Sequence, residues 1–220
     1  MKSLKTKNRI GDKWTMKGKK LKINHVSCTM FEAENSKICF ILSGTGYTYD
    51  KPILYYATQL MVEKGYDVIQ IHYSFEKDLF AQSDEMISQT IYELVNQVVI
   101  TQLREVSYKE IAFIGKSLGI IPIVNHYMQQ DFHVPVKFMN LTPVLSMNSL
   151  YMNLKQSKYH SLVIIGSSDP HYDSEKITSL ANHQIVVMPD ANHSLEVEKD
   201  VMKSLQVLKQ SIEAIGLFVS

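Results

Sequence analysis

The chain has 220 residues, 45% of them hydrophobic, which suits one α/β domain with a sizeable core. A formal net charge of +1 argues against a general nucleic-acid binder, and no apolar run approaches the roughly 18–20 residues that span a bilayer, so no membrane span is expected. Two cysteines, Cys28 and Cys39, make no disulfide framework; both fall in expected strands and read as buried small hydrophobes.

The charge is unevenly spread. Residues 1–22 hold nine Lys or Arg against one acid, Asp12, which leaves 14 basic and 21 acidic residues in the remainder. Residues 1–20 therefore read as a basic arm. Such an arm can touch phosphate or an anionic membrane surface, but a solvated terminus is the simpler reading. No apolar segment follows it, so it does not read as a secretory signal, and a cytoplasmic location is expected. Residues 21–220 read as a single domain.

Within that domain, Leu21–Met30 alternates in polarity, as an edge or outer strand does. Lys37–Leu42 is nearly continuously apolar, as expected of a strand covered on both faces. Asp67–Tyr73, Glu110–Gly115, Val134–Leu141, Ser161–Gly166 and Gln184–Met188 repeat that character. Helices are expected over Pro52–Lys64, Ser83–Glu105, Leu118–Gln130, Ser174–Ala181 and Ser194–Ala214. This alternation predicts an α/β fold: a mainly parallel twisted sheet with helices on both faces. Residues 143–160 have room for one short helix and are too few for a cap domain, so minimal or no cap is expected.

The most informative stretch runs from Ile111 to Gly119, where a buried strand breaks into Gly115-Lys116-Ser117-Leu118-Gly119 ahead of an apolar segment. This is G-x-S-x-G in the strand–turn–helix setting of a nucleophile elbow, which projects the serine hydroxyl from the sheet edge. A serine needs a base to become a nucleophile. His193 lies in a short polar loop after the strand Gln184–Met188, at the carboxyl end where sites on parallel sheets gather. Among the other histidines only His72 and His171 share that edge. The orienting carboxylate should follow the preceding strand, and Asp169 sits early in the loop after Gly166, whereas Asp173 reads as a helix cap. An oxyanion needs two backbone N–H donors. Leu118, directly after the serine, is one candidate. The other is Thr45, in the loop Ser43-Gly44-Thr45-Gly46-Tyr47, whose Gly44, Gly46 and Tyr47 are candidate substrate contacts.

On these residues the chain resembles α/β-hydrolase-fold serine hydrolases of the small lidless type, which includes dienelactone-hydrolase-like proteins and compact carboxylesterases. The resemblance covers roughly Lys37–Leu217 and rests on loop 43–47, the elbow 115–119, the loop Gly166-Ser-Ser-Asp169 and the loop Asn192-His193-Ser194, in the order serine, acid, histidine. It implies an α/β-hydrolase domain over 21–220, a Ser117–His193–Asp169 triad and cleavage of a small ester or thioester through an acyl-enzyme. No cofactor or metal is implied. The chain departs from many relatives in beginning the oxyanion loop with Ser43 rather than histidine, and in placing Lys116 beside the serine.

Other readings stay open. Gly115-Lys116-Ser117 resembles the end of a phosphate-binding loop, but position 110 is Glu rather than Gly and the intervening residues read as strand. A non-catalytic member of the fold that binds a small molecule or a protein is the main alternative. The tyrosines Tyr47, Tyr49, Tyr55, Tyr56 and Tyr73, with Phe75, suit a wall for small acyl or aromatic substrates, or ordinary packing. A small ester-like molecule is the expected partner, nucleic acid is not, and a homodimer is left open.

Overall fold

The computed structural model describes residues 17–33, 36–75 and 77–220. Most of the expected basic arm, residues 1–16, lies outside the described residues; Lys19 and Lys20 belong to the first strand.

Among the described residues eight strands form one sheet: β1 (Lys19–Ile23), β2 (Val26–Phe31), β3 (Lys37–Leu42), β4 (Tyr66–His72), β5 (Glu110–Lys116), β6 (Val136–Leu141), β7 (Ser161–Gly166) and β8 (Gln184–Met188). Their spatial order is β1-β2-β4-β3-β5-β6-β7-β8. β1 and β2 are antiparallel to their neighbours, and β3 to β8 pair in parallel. The expected single strand Leu21–Met30 is thus a hairpin. Asn24 and His25 take φ of 46° and 71° at its two-residue turn, the positive-φ pair that matches the twist of flanking strands. The Asn24 side-chain amide donates to Thr101 Oγ1 at 2.7 Å and fixes the turn on a helix.

The described residues form six α-helices that cover the sheet: α1 (Pro52–Glu63), α2 (Asp84–Glu105), α3 (Ile120–Asn125), α4 (Asn148–Gln156), α5 (Ser174–Ser179) and α6 (Val201–Phe218). α1 and α6 bury Leu54, Met61, Val207 and Ile215 against one face, where Cys39, Ile41, Ala112 and Ile114 point. α2 to α5 cover the other face, where Phe40, Phe113 and Phe138 lie in register on adjacent strands with ring centroids 5.4 and 5.5 Å apart. Both faces are dry, which is why β3 and β5 to β7 read as apolar runs.

Two expected helices differ. The segment Leu118–Gln130 is interrupted: a 3₁₀ turn over Ser117–Gly119 leads into α3, and His126, at φ −128° and ψ −61°, ends it. The last helix begins at Val201 rather than Ser194. Leu195 and Lys199 have positive φ, which a helix cannot accommodate, and Asp200 caps the new start by accepting from the Lys203 N–H at 2.9 Å. Residues 143–160 hold only α4, and no cap domain is formed among the described residues.

The strand order reverses at β3: α1 carries the chain outward to β4, and α2 carries it back to β5 on the other side. Loops leaving β3 and β5 diverge there and open a crevice at the carboxyl ends, where ligands bind in open α/β sheets. The elbow stands at that crevice. Ser117 has φ 53°, a sparsely allowed conformation that turns its side chain away from the strand. Gly119 lets the following turn lie on β3: a Cβ there would stand 2.4 Å from the Leu42 carbonyl oxygen. Gly119→Ala is therefore expected to destabilise the protein by about 3 kcal/mol and to lower Tm by roughly 6–12 °C. Thermal denaturation checks this, and an unchanged Tm would show that the turn does not need that close approach.

Candidate active site

Four loops at the carboxyl edge bring together the side chains of interest. The elbow presents Ser117. The loop after β8 presents His193, whose Nε2 lies 2.8 Å from Ser117 Oγ. The loop after β7 presents Asp169, whose Oδ2 lies 2.7 Å from His193 Nδ1. With a carboxylate on its Nδ1 side, the neutral imidazole carries its proton there and leaves Nε2 free to accept from the serine hydroxyl.

Each loop is braced. Gly166 O accepts from the Asp169 N–H at 3.2 Å, and the Ser168 N–H donates to Ala191 O at 2.9 Å, which ties the acid's loop to the histidine's. Asn192 Oδ1 accepts from the Ser194 and Glu196 amides at 2.8 and 3.2 Å, an Asx turn that closes the loop just past His193. Asp169 is buried, with its Oδ1 accepting from the His171 N–H at 2.9 Å. Burial pushes its carboxyl pKa up, but the His193 hydrogen bond and the His171 amide outweigh this and hold it below the usual value.

Two nearby acids lie elsewhere. Asp173 caps α5 by accepting from the Glu175 and Lys176 amides, and Asp190 faces Lys203 at 3.6 Å on the surface. His72 bonds Thr29 Oγ1 at 2.7 Å. His171 stands edge-on to His193 with ring centroids 5.2 Å apart, its Nδ1 2.9 Å from Ser146 Oγ. Burial lowers the His171 pKa, and Asp169 opposes that shift. Asp169, His171 and His193 offer metal-ligand atoms within 4.8 Å of one another. Both imidazole nitrogens of His193 and both Asp169 oxygens are already engaged in hydrogen bonds.

The loop after β3 lies against the elbow. A Cβ on Gly44 would stand 2.8 Å from Ser117 Cβ, so only glycine permits this approach. The Tyr47 N–H closes a turn onto Gly44 O at 3.4 Å, with Gly46 at φ 70° and Thr45 exposed at the tip. The Ser43 N–H is spent on Tyr49 Oη at 3.3 Å. Leu118 is the second residue of the 3₁₀ turn, in its first turn, where an N–H has no partner within its own helix. Tyr47 is 9% exposed; its hydroxyl accepts from the Ile53 N–H at 3.3 Å, so it supports the loop from beneath. The Tyr49 hydroxyl donates to Ile71 O, and the Tyr73 hydroxyl donates to Ser43 O at 2.6 Å. These tyrosines therefore scaffold the β3 loop, while Tyr55 and Tyr56 stand exposed on α1. A cleft of about 480 Å³ flanks the His193 loop, bordered by Tyr47, Ile53, Asn192, Ser194, Leu195 and Leu205.

Lys116 was legible only as an oddity beside the serine. Its side chain is buried, 1% exposed, on the α1/α6 side of the sheet. Nζ donates to His193 O at 2.6 Å and to Thr142 Oγ1 at 2.8 Å, and lies 4.6 Å from the Tyr47 ring centroid. Burial lowers its pKa from 10.5 to about 8 against the opposing pull of Asp169 and Glu196.

A mostly parallel eight-stranded sheet in this order, with a strained serine after β5 bonded to a histidine after β8, defines an α/β-hydrolase fold. Comparison with solved structures agrees. Est1E of Butyrivibrio proteoclasticus with ferulic acid bound is 12% identical, with TM-score 0.65 over 91% of this chain and 97% of that one. An α/β serine hydrolase without a lid from Xanthomonas campestris is 13% identical, with TM-score 0.65 over 91% and 95%. The esterase Pf2001 of Pyrococcus furiosus is 15% identical, with TM-score 0.64 over 96% and 99%. Neither a protein-family model nor a curated protein matches the chain by sequence.

The depressed pKa of Lys116 has a stability consequence with a definite sign. The folded protein holds this proton less tightly than the unfolded chain, so burying the ammonium costs stability in full below about pH 8. The cost fades as pH rises from about 8 towards 10.5. Relative to wild type, Lys116→Met is therefore expected to lose stability over that window, by up to ~3 kcal/mol. Urea unfolding of both proteins at pH 7 and pH 10 measures the change, and a pH-independent difference would mean the lysine is not desolvated.

Proposed function

We propose that the chain is a serine hydrolase that cleaves a small carboxylic ester or thioester through an acyl-enzyme on Ser117. The observation that carries this reading is the unbroken hydrogen-bonded chain from Ser117 Oγ through His193 to the buried Asp169 carboxylate. The esterases and serine hydrolases among its structural neighbours support the same reading.

In this mechanism the Ser117 oxygen attacks the substrate carbonyl carbon while His193 Nε2 takes the hydroxyl proton. Asp169 stabilises the imidazolium from the Nδ1 side. The amides of Leu118 and Thr45 donate to the oxyanion, with Gly44 keeping the β3 loop close enough to Ser117 for this. Collapse of the tetrahedral intermediate expels the alcohol or thiol, which takes the proton from His193. A water then attacks the acyl-enzyme with His193 as base, and the carboxylic acid leaves. The exposed loop tip and the absence of a cap among the described residues favour compact substrates that enter directly from solvent. Ferulic acid bound to Est1E makes an aromatic acyl group a reasonable first member of a test panel.

A panel of p-nitrophenyl esters of increasing chain length, together with a fluorophosphonate probe, tests the proposal. Ser117 is expected to label. Ser117→Ala and His193→Ala are each expected to lower kcat by roughly 10⁴–10⁶ while leaving the folded state intact. Wild-type turnover by purified Ser117→Ala would reject the assignment, and a folded wild type inert to the probe would favour a binding module.

A further inference from the structure

We propose that Lys116 is a positioning residue of this site: its buried ammonium ties the elbow to the His193 backbone and so keeps the imidazole within reach of Ser117. The inference rests on the serine-hydrolase reading above and assigns a function to a residue that the reaction itself does not consume.

Strand alternation places Lys116 on the same face as Ala112 and Ile114, where the neighbouring positions are apolar core. A lysine is an expensive choice there unless its charge and donors are used. All of its reach is used. The ammonium bonds the carbonyl of His193 itself, bonds Thr142 Oγ1 in the loop after β6, and rests on the Tyr47 ring under the loop after β3. One side chain from the end of β5 thus joins three other loops at the carboxyl edge. Methionine would fill a similar volume, yet it would leave the His193 carbonyl and the Thr142 hydroxyl without this donor.

The segments it joins are strained. Thr142 is buried, β-branched and at φ 53°. The histidine loop contains Asp190 at φ 58°, Leu195 at 62° and Lys199 at 59°. Such conformations persist only where surrounding contacts over-determine them. Asn192 holds the loop just beyond His193 through backbone amides, and Lys116 holds it at the His193 carbonyl. The ring's position depends on that peptide, because Nε2 must stay near 2.8 Å from Ser117 Oγ while Nδ1 keeps Asp169. The ionisable groups facing the ammonium are Asp169, Glu196, His193 and Tyr47. Burial pushes the Tyr47 hydroxyl up to about 12, so it stays neutral through the range in which Lys116 titrates.

The test compares wild type, Lys116→Met and Lys116→Gln, with p-nitrophenyl butyrate turnover and the rate of fluorophosphonate labelling as readouts. Lys116→Met is expected to lower kcat and the labelling rate by about 10–100-fold, with KM changed less than about threefold. Lys116→Gln, which keeps a donor without the charge, is expected to recover about tenfold of that loss. Wild-type kcat should also decline above about pH 8, as the charge-assisted bond to His193 O weakens, and Lys116→Gln should lack this limb. Equal kcat and labelling in folded Lys116→Met and wild type overturn the positioning role and leave the hydrolase reading standing. A wild type that neither labels nor turns over overturns the hydrolase reading, and the positioning role with it. If both variants fail to fold, the wild-type profile decides alone: a kcat that does not decline between pH 7 and 10 overturns the proposal.

Discussion

The contact between the elbow and β3 is the constraint on which the rest of the site depends. Ser117 leaves β5 in a left-handed conformation, and the chain can accept that strain because the next turn packs flat on Leu42 through Gly119. The same contact brings Gly44 against Ser117 Cβ. Serine and β3 loop therefore approach one another because two adjacent parallel strands end together in register, Leu42 opposite Gly115. The hydroxyl's position follows from backbone packing, before any side chain is asked to hold it.

Electrostatics supplies the second layer. Asp169 and Lys116 are both buried and carry opposite charge, and the Asp169 carboxylate favours the charged form of Lys116 against the cost of its burial. His193 lies between them: its ring bonds the carboxylate and its carbonyl bonds the ammonium. Each charge is held chiefly by hydrogen bonds, Asp169 by His193 and the His171 amide and Lys116 by the His193 carbonyl and Thr142. The arrangement is thus a mutually dependent set, braced by neutral groups such as Asn192, Thr142 and the tyrosines beneath the β3 loop.

Much of the fold was legible because buried strands leave continuous apolar runs and helices leave a stripe. β3, β7 and β8 fall on the residues expected from that pattern. The hairpin at Asn24–His25 was missed because a two-residue turn without glycine barely interrupts the alternation around it. The start of α6 was misplaced because Ser194 to Lys199 looks helical in composition, while its conformation is dictated by the Asn192 side chain and by Leu195 and Lys199. Ser117 could be named as a candidate from the G-x-S-x-G elbow, and His193 and Asp169 from residue type and their places after parallel strands. The contacts of Lys116 with Thr142 and with the His193 carbonyl could not, because they join loops far apart in sequence. Asn192 did carry a local signal, since asparagine in a polar loop favours a turn closed by its own side chain.

The outermost strand has a consequence for how molecules of this protein meet. Among the described residues β1 pairs with a strand on one side only, and an open edge of this kind invites strand addition from another chain. Lys19, Lys20 and Lys22 are all exposed along it. Two copies docking by that edge would press like charges together over a span of a few residues, a repulsion that works against edge-to-edge pairing.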